Sequence, residues 1–327
     1  MMERLFLFFH EPEPDRWIWG DRYPRRVVRR LLRRQRISGA RVVFKNLCLG
    51  FQKTKTNFIA NSLSVFAKEP YKPVGFIGKL QYLEQMRFGN PLVIGPAVLD
   101  HPLQDSEVLQ REDLRALIVP CDWYRRMFKE HCNLDIHVWP VGIDTEQWCR
   151  TPQRKKKIDI IIYDKVTFRR FNLNVVQKVR DFLDEKKYSY RILSYGEYLE
   201  THLRESVKNC KAAIVLSHTE TQGIAYQQIM SSGLPILAWD PGVWDTNILR
   251  KSRPSLPPDI VYENTSVPYF DERCGCTFSN INQFEEVFEL FWENVLQEKY
   301  KPREYILENL TLEKSATQYL EILKQYW

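Results

Sequence analysis

Long apolar runs are missing from this 327-residue chain: no stretch approaches the roughly 18 to 20 consecutive apolar residues that cross a bilayer, so no membrane-spanning helix is expected. Met1 to His10 lacks the basic start, the extended apolar stretch and the small-residue cleavage site of a secretory signal, and a cytoplasmic location is the resulting expectation. Cysteine is sparse and odd in number. Of seven, only Cys274 and Cys276 lie close together, which argues against a disulfide framework and against the three or four convergent ligands of a metal site, so no metal is expected. Internal repeats are absent, and so is low-complexity sequence outside one arginine run. With 44% hydrophobic and 27% charged residues, the chain has the balance of a folded protein rather than a disordered one.

What is there begins with length. The chain exceeds a typical single core of about 100 to 200 residues and suits two modest domains with a cleft between them. The net charge of +7 is unevenly placed, because Arg25, Arg26, Arg29, Arg30, Arg33, Arg34 and Arg36 crowd one segment. Arginine pairs recur every four residues, with Val27, Val28, Leu31 and Leu32 between them, so a helix there carries a cationic face and an apolar stripe. Three roles fit this pattern. The segment is the first helix of a Rossmann-like domain with its apolar side inward, or it docks on an anionic membrane surface or acceptor, or it binds nucleic acid.

Short apolar runs then mark strands at Leu5 to Phe9, Arg41 to Lys45, Val74 to Ile77, Leu92 to Ile94, Ala116 to Val119 and Ile136 to Pro140, separated by stretches long enough for helices. After a polar, basic link at Thr151 to Lys157, a second cycle follows. Strands are expected at Lys157 to Tyr163, Tyr190 to Ser194, Ala212 to Ser217 and Ile236 to Trp239. Helices are expected near Asn174 to Lys186, Tyr198 to Asn209 and Gly223 to Ser232, and helical sequence runs from Asn282 to Trp327. Strands alternating with helices imply mostly parallel sheets. The fold class is therefore α/β with two Rossmann-like domains, at 1–150 and 151–300, and a closing helix at 301–327.

In such sheets ligands bind beyond the carboxyl ends of the strands. The most informative stretch is LSHTETQGIAYQQIMSSGLPILAWD, Leu216 to Asp240. A buried strand ends at Ser217, a polar turn carries Glu220, and Gly223 opens a helix whose free N–H groups at Gly223, Ile224 and Ala225 suit a diphosphate. Glu220 beside them can accept hydrogen bonds from sugar hydroxyls, and Gln228 further along can meet a ribose.

This stretch resembles the signature of the retaining GT-B glycosyltransferases of the large family 4 group: a glutamate, seven residues with a glycine turn, a second glutamate, then small residues, a glycine and a proline. Glu220, Gly223, Gln228, Ser231, Ser232, Gly233 and Pro235 stand in register with it. Gln228 replaces the second glutamate. VWPVGIDTEQW, Val138 to Trp148, is similar to the family's segment between the domains, with Val141 where the family has Asn. The likeness covers roughly Leu92 to Asp240. It implies the GT-B fold, with the last helices closing back toward the first domain, and a hexosyl transfer from a UDP- or GDP-linked sugar to a glycan or lipid-linked acceptor with retention.

The resemblance also implies roles. Glu220 holds the donor sugar, and Lys165 with Arg169 or Arg170 grips the donor phosphates, Asp164 standing where a glycine is usual. His101 lies near the sugar, with His10 as its competitor. Gly223, Ile224, Ala225, Gln228, Gly142 and Gly196 complete the donor site. Two rivals accompany this reading: a GT-B enzyme that glycosylates DNA bases, with the arginine segment on phosphates, and a non-catalytic GT-B subunit that only binds sugar nucleotide. Nucleic acid is the less favoured partner, and peripheral contact of Arg25 to Arg36 with an anionic membrane stays open beside the first-helix reading.

Overall fold

A computed structural model of the chain describes residues 4–11, 18–31, 38–96, 98–103, 106–152, 156–166, 169–250 and 256–327. The first half runs β1 (Leu5–His10), α1 (Arg22–Leu31), α2 (Gly39–Lys53), β2 (Phe58–Ala60), α3 (Leu63–Phe66), β3 (Val74–Gly78), α4 (Leu80–Gln85), β4 (Leu92–Ile94), α5 (Ser106–Leu109), β5 (Leu114–Val119), α6 (Asp122–Lys129) and β6 (Asp135–Val138). Its six strands form one parallel sheet in the order β2-β1-β3-β4-β5-β6. The two-residue period of the strands sorts their side chains between two cores. Phe6, Phe8, Phe76, Ile94, Leu117 and Val119 face α6, whereas Leu5, Leu7, Ile77, Val93, Ala116 and Ile118 face α2.

The second half runs β7 (Ile158–Asp164), α7 (Arg169–Glu185), β8 (Tyr190–Ser194), α8 (Glu200–Asn209), β9 (Cys210–Leu216), α9 (Ile224–Ser231), β10 (Ile236–Trp239), β11 (Val243–Asp245), α10 (Thr246–Arg250), β12 (Val261–Glu263), β13 (Gly275–Phe278), α11 (Phe284–Leu296), α12 (Pro302–Asn309) and α13 (Leu312–Lys324). A second parallel sheet has the order β13-β10-β9-β7-β8. Ile160, Ile162, Ile214 and Leu237 point to α7 and α11; Ile161, Ala213, Val215 and Ile236 point to α9 and α12. Both sheets are covered on both faces, which is why their strands read as unbroken apolar runs. The chain has two Rossmann-like domains.

Two expectations from the sequence are corrected. Arg41 to Lys45 is not a strand but part of α2, where Val43, Leu47, Gly50 and Phe51 are buried at helical spacing and the Ser38 hydroxyl caps the helix, accepting from the Arg41 N–H at 3.2 Å. A three-residue apolar run between two cations hides a period that appears only over fifteen residues. The arginine segment is consequently not the helix that covers the sheet. In α1, Val27 and Val28 are 57% and 52% exposed, so these two are not turned inward; the side chains of Arg26, Arg29, Arg30 and Leu31, and all of Leu32, Arg33, Arg34 and Arg36, lie outside what is described.

The chain passes from one core to the other between Val141, in the first, and Ile143, in the second. It returns at α13, which lies on α2. Gly50 makes this approach possible, since a Cβ there would stand 2.4 Å from the Leu312 carbonyl oxygen and 2.7 Å from the Ala316 Cβ. The Trp139 indole donates to the Ser315 carbonyl at 2.8 Å, and the Ser315 hydroxyl donates to the Pro140 carbonyl at 2.8 Å. The hairpin of β11 and β12 also crosses over, burying Trp244, Tyr262 and nearby Leu256 among first-domain residues such as Leu99, Trp123 and Tyr124.

Alanine in place of a helical glycine ordinarily stabilises by about 1 kcal/mol. Gly50→Ala is expected to have the opposite sign, because the overpacking it forces costs roughly 1 to 3 kcal/mol. Thermal unfolding checks this: the melting temperature should fall by a few degrees, and a rise would show that α13 is not seated on α2.

Candidate active site

The carboxyl ends of the two sheets face each other across the cleft. From the first domain, the Trp123 indole at the start of α6 donates to the Glu220 carbonyl at 3.0 Å, and the Tyr269 hydroxyl of the second domain donates to the Pro120 carbonyl. The opposed loops are those after β5, β7, β8 and β9.

Adjacent strands bring the first pair of charges together. β7 and β9 are neighbours with Asp164 opposite Leu216, and the Lys165 N–H continues that ladder onto the Leu216 carbonyl at 2.9 Å. Lys165 thus emerges beside the loop that follows β9, and its Nζ lies 2.5 Å from Glu220 Oε2. The Thr221 N–H donates to Oε1 of the same carboxylate at 3.2 Å. Burial pulls the Lys165 ammonium down, the Glu220 carboxylate more than reverses this, and the group stays above the ordinary lysine value. Tyr195, just after β8, lays its ring 4.9 Å from the same Nζ. Asp164 shapes this loop: its carboxylate accepts from the Val166 N–H at 3.0 Å and its carbonyl from the Tyr195 N–H at 2.8 Å.

The turn into α9 is held by glycine. Gly223 has φ of 70° and ψ of 30°, and a Cβ would fall 1.8 Å from the Tyr226 ring. That ring is buried, and its hydroxyl accepts from the Tyr269 N–H at 3.2 Å. The Gln227 amide donates to the Gln222 carbonyl at 2.6 Å, tightening the same turn. At the start of α9 the N–H groups of Ile224 and Ala225 have no acceptor within the helix, and Ile224 touches both domains' cores. Lys165, Glu220, Gly223, Ile224 and Ala225 are thus gathered at one place, with Gln228 half-buried on the second turn.

Other expected residues stand elsewhere. Gly142 is where the interdomain segment meets α13: its carbonyl accepts from the Asn46 amide at 2.7 Å, and a Cβ would lie 2.6 Å from the Leu312 Cα. Gly196 has φ of 81° in an open turn next to Tyr195. Arg169 and Arg170 begin α7, and their side chains lie outside the described residues. His101 is fully buried with both ring nitrogens engaged. Nδ1 accepts from the Leu103 N–H at 3.1 Å, which leaves Nε2 to donate to the Tyr262 hydroxyl at 2.9 Å, and the ring stacks on Trp244. In this arrangement it joins the crossing hairpin to the first domain rather than presenting a nitrogen to the cleft. Burial, and secondarily His131, push its pKa down to about 4. His10, at the end of β1, stacks on Tyr82 at 4.0 Å.

Sequence reasoning missed Trp123, Tyr195 and Gln222. The first two are aromatic residues directly after strands, a signal available in principle. Gln222 is buried, and neither polar atom of its carboxamide has a hydrogen-bond partner among the described residues. Among those residues no group of three His, Cys, Asp or Glu gathers to hold a metal.

No family model and no curated protein matches the chain. Solved structures do. Sucrose-phosphate synthase from Thermosynechococcus elongatus is similar with a TM-score of 0.53 at 11% identity, over 89% of this chain and 80% of that one. The lipopolysaccharide outer core galactosyltransferase WaaB, in its apo form, has a TM-score of 0.53 at 10% identity over 99% and 100%. TarM of S. aureus, in complex with fondaparinux, α-GlcNAc-glycerol and UDP, has 0.51 at 13% identity over 77% and 55%. The chain spans a little over half the length of TarM and of the matched chain of the GtfA/B complex, 54% and 57%. At such identities the likeness shows the fold, which is the two-domain GT-B arrangement.

His101 carries a pH prediction. Its folded-state pKa is lowered, so the unfolded chain binds the extra proton between pH 6.5 and about 4, and stability is lost as pH falls through that window. At 1.36 kcal/mol per unit the loss by pH 4.5 is about 2.5 kcal/mol. Urea unfolding at pH 7 and pH 4.5 should show a difference smaller by that amount in His101→Gln, and parallel behaviour of the two proteins would mean that the histidine is not held neutral.

Proposed function

We propose that this chain is a glycosyltransferase that moves a sugar from a UDP- or GDP-linked donor to a saccharide or lipid-linked acceptor, with retention at the anomeric carbon. The observation that carries the reading is the Lys165–Glu220 pair, at 2.5 Å, beside a glycine-started helix in the seam of a GT-B fold. An ammonium, a carboxylate and a row of free N–H groups are the three kinds of partner that a phosphorylated polyol requires.

The donor diphosphate lies against the Ile224 and Ala225 N–H groups, and its oxygens take over the Lys165 ammonium. Until then Glu220 keeps that cation neutralised in a half-buried site, where an unpaired charge is costly. Once exchanged, Glu220 is free to accept from sugar hydroxyls. Gln222 stands in the same turn, and a donor hydroxyl on its carboxamide offsets the roughly 1 to 3 kcal/mol that a buried unpartnered amide costs. In the reaction the bond from C1 to the phosphate oxygen breaks as the acceptor oxygen bonds to C1 on the same face. The acceptor proton passes to the leaving phosphate, whose developing charge Lys165 and the helix N–H groups stabilise. Retention rests on the resemblance of Glu220 to Pro235 to the retaining family. The acceptor enters from the first domain, whose Arg25 to Arg36 segment favours an anionic partner.

A thermal-shift screen of nucleotide sugars tests donor binding, since a ligand at a hundred times its Kd stabilises the folded state by about 2.7 kcal/mol. One UDP- or GDP-sugar should raise the melting temperature by several degrees. With that donor, Glu220→Ala is expected to lower kcat/KM on the order of a hundredfold or more. Retention of near-native transfer by a folded Glu220→Ala protein would remove Glu220 from the site.

A further inference from the structure

Glu11, just after β1, and Ser38, at the start of α2, meet at one point. β1 ends at His10, on the carboxyl edge that faces the cleft, and Ser38 caps α2; the Ser38 hydroxyl donates to the Glu11 carboxylate, and Arg41 Nε lies 4.0 Å from the same oxygen. The base of the stretch between them is therefore pinned at the cleft edge, three strands or about 14 Å from the end of β5, where Trp123 follows.

Its described part is unusually apolar on the outside. Ile18 is 73% exposed, Trp19 92%, and Val27 and Val28 more than half, with Tyr23 also exposed. Among the residues between Phe9 and Val43 whose side chains are described, none joins any of the four buried apolar clusters. Between Ile18 and Leu31 the sequence carries five arginines against one aspartate, Asp21, and Arg25 is paired with that aspartate at 3.1 Å.

We propose that this element, Ile18 to Leu31, is an interfacial anchor that docks the enzyme on an anionic lipid surface, with a membrane-borne acceptor presented at the cleft edge. Three classes of anionic partner compete, and the side chains choose among them. Nucleic acid is bound through phosphate neutralisation, for which exposed Ile18, Trp19, Val27 and Val28 have no use. Protein interfaces also favour Trp and Arg, but their cores are depleted of charge overall, whereas this stretch carries five arginines and one aspartate in sequence. A bilayer interface takes both: arginines meet the lipid phosphates while Trp and aliphatic side chains enter the acyl boundary. The described helices include none long and apolar enough to cross a membrane, so the contact lies on the surface. The acceptor assignment rests on the transferase reading; the docking does not.

The test is co-sedimentation of the full chain with phosphatidylcholine vesicles, with and without phosphatidylglycerol, alongside thermal shift by a nucleotide sugar. The protein should sediment with the phosphatidylglycerol vesicles only, and less so in high salt. Trp19→Ser combined with Val28→Ser should lower that partition on the order of tenfold, while melting temperature and nucleotide-sugar shift stay unchanged, both side chains being exposed. Absence of sedimentation with anionic vesicles would overturn the proposal. So would undiminished sedimentation of the double variant, or salt-sensitive binding to duplex DNA without binding to vesicles. Failure of the nucleotide-sugar shift with vesicle binding intact would instead strike only the transferase reading.

Discussion

The rest of the molecule depends on α13 lying backbone-close on the first domain although it follows the second in sequence. That approach exists because Gly50 and Gly142 have no Cβ to meet Leu312, and because Ser315 exchanges hydrogen bonds with Trp139 and Pro140 on the segment that leaves the first core. With the outgoing segment and the returning helix bound to each other, the two domains are joined twice within a few residues. The carboxyl edges of the sheets are then held opposite each other, which is what lets Trp123 reach the Glu220 carbonyl and Tyr269 reach Pro120. A single tether would leave that alignment to the weaker contacts of the cleft itself.

Within the cleft, the charged side chains satisfy one another. Lys165 and Glu220 neutralise one another where neither is well solvated, and Asp164, at the end of β7, orders the turn that delivers the lysine. On the proposed reading such a site exchanges partners rather than acquiring them: an arriving phosphate would take the cation and release the carboxylate. Gly223 works on the same turn by geometry alone, since any side chain there would strike Tyr226 and displace the start of α9. The crossing hairpin closes the assembly from the other side, with His101 as a neutral hydrogen-bonding link between Leu103 and Tyr262.

The stretch after β1 follows a different logic. The covering helices bury apolar stripes on the cores, whereas Ile18, Trp19, Val27 and Val28 are left outside in an arginine-rich stretch of sequence. The helix that covers the sheet at this point is α2 instead. The first domain thus has both its covering helix and an additional element at the cleft edge.

Much of this was readable from the residues in order. Strands buried on both faces announce themselves as apolar runs, so β1, β3, β4 and β7 to β10 were expected close to where they lie, and two parallel domains followed from the alternation. That Glu220, Gly223 and Lys165 stand just after strands was legible from the polar residues that end the apolar runs. Helix α2 was misread because five residues cannot separate a period of two from one of 3.6. That Lys165 and Glu220 touch depends on β7 and β9 being neighbours, a strand order that no local pattern encodes. That His101 is enclosed depends on a hairpin 140 residues later folding over it, and that the arginine helix is outside depends on α2 having already taken the sheet's face. Local sequence determined which segments form strands and where polar residues interrupt them, since those follow from period and composition. Which distant side chains meet, and which apolar ones are left to solvent, was decided only when the two sheets and the helices covering them were packed together.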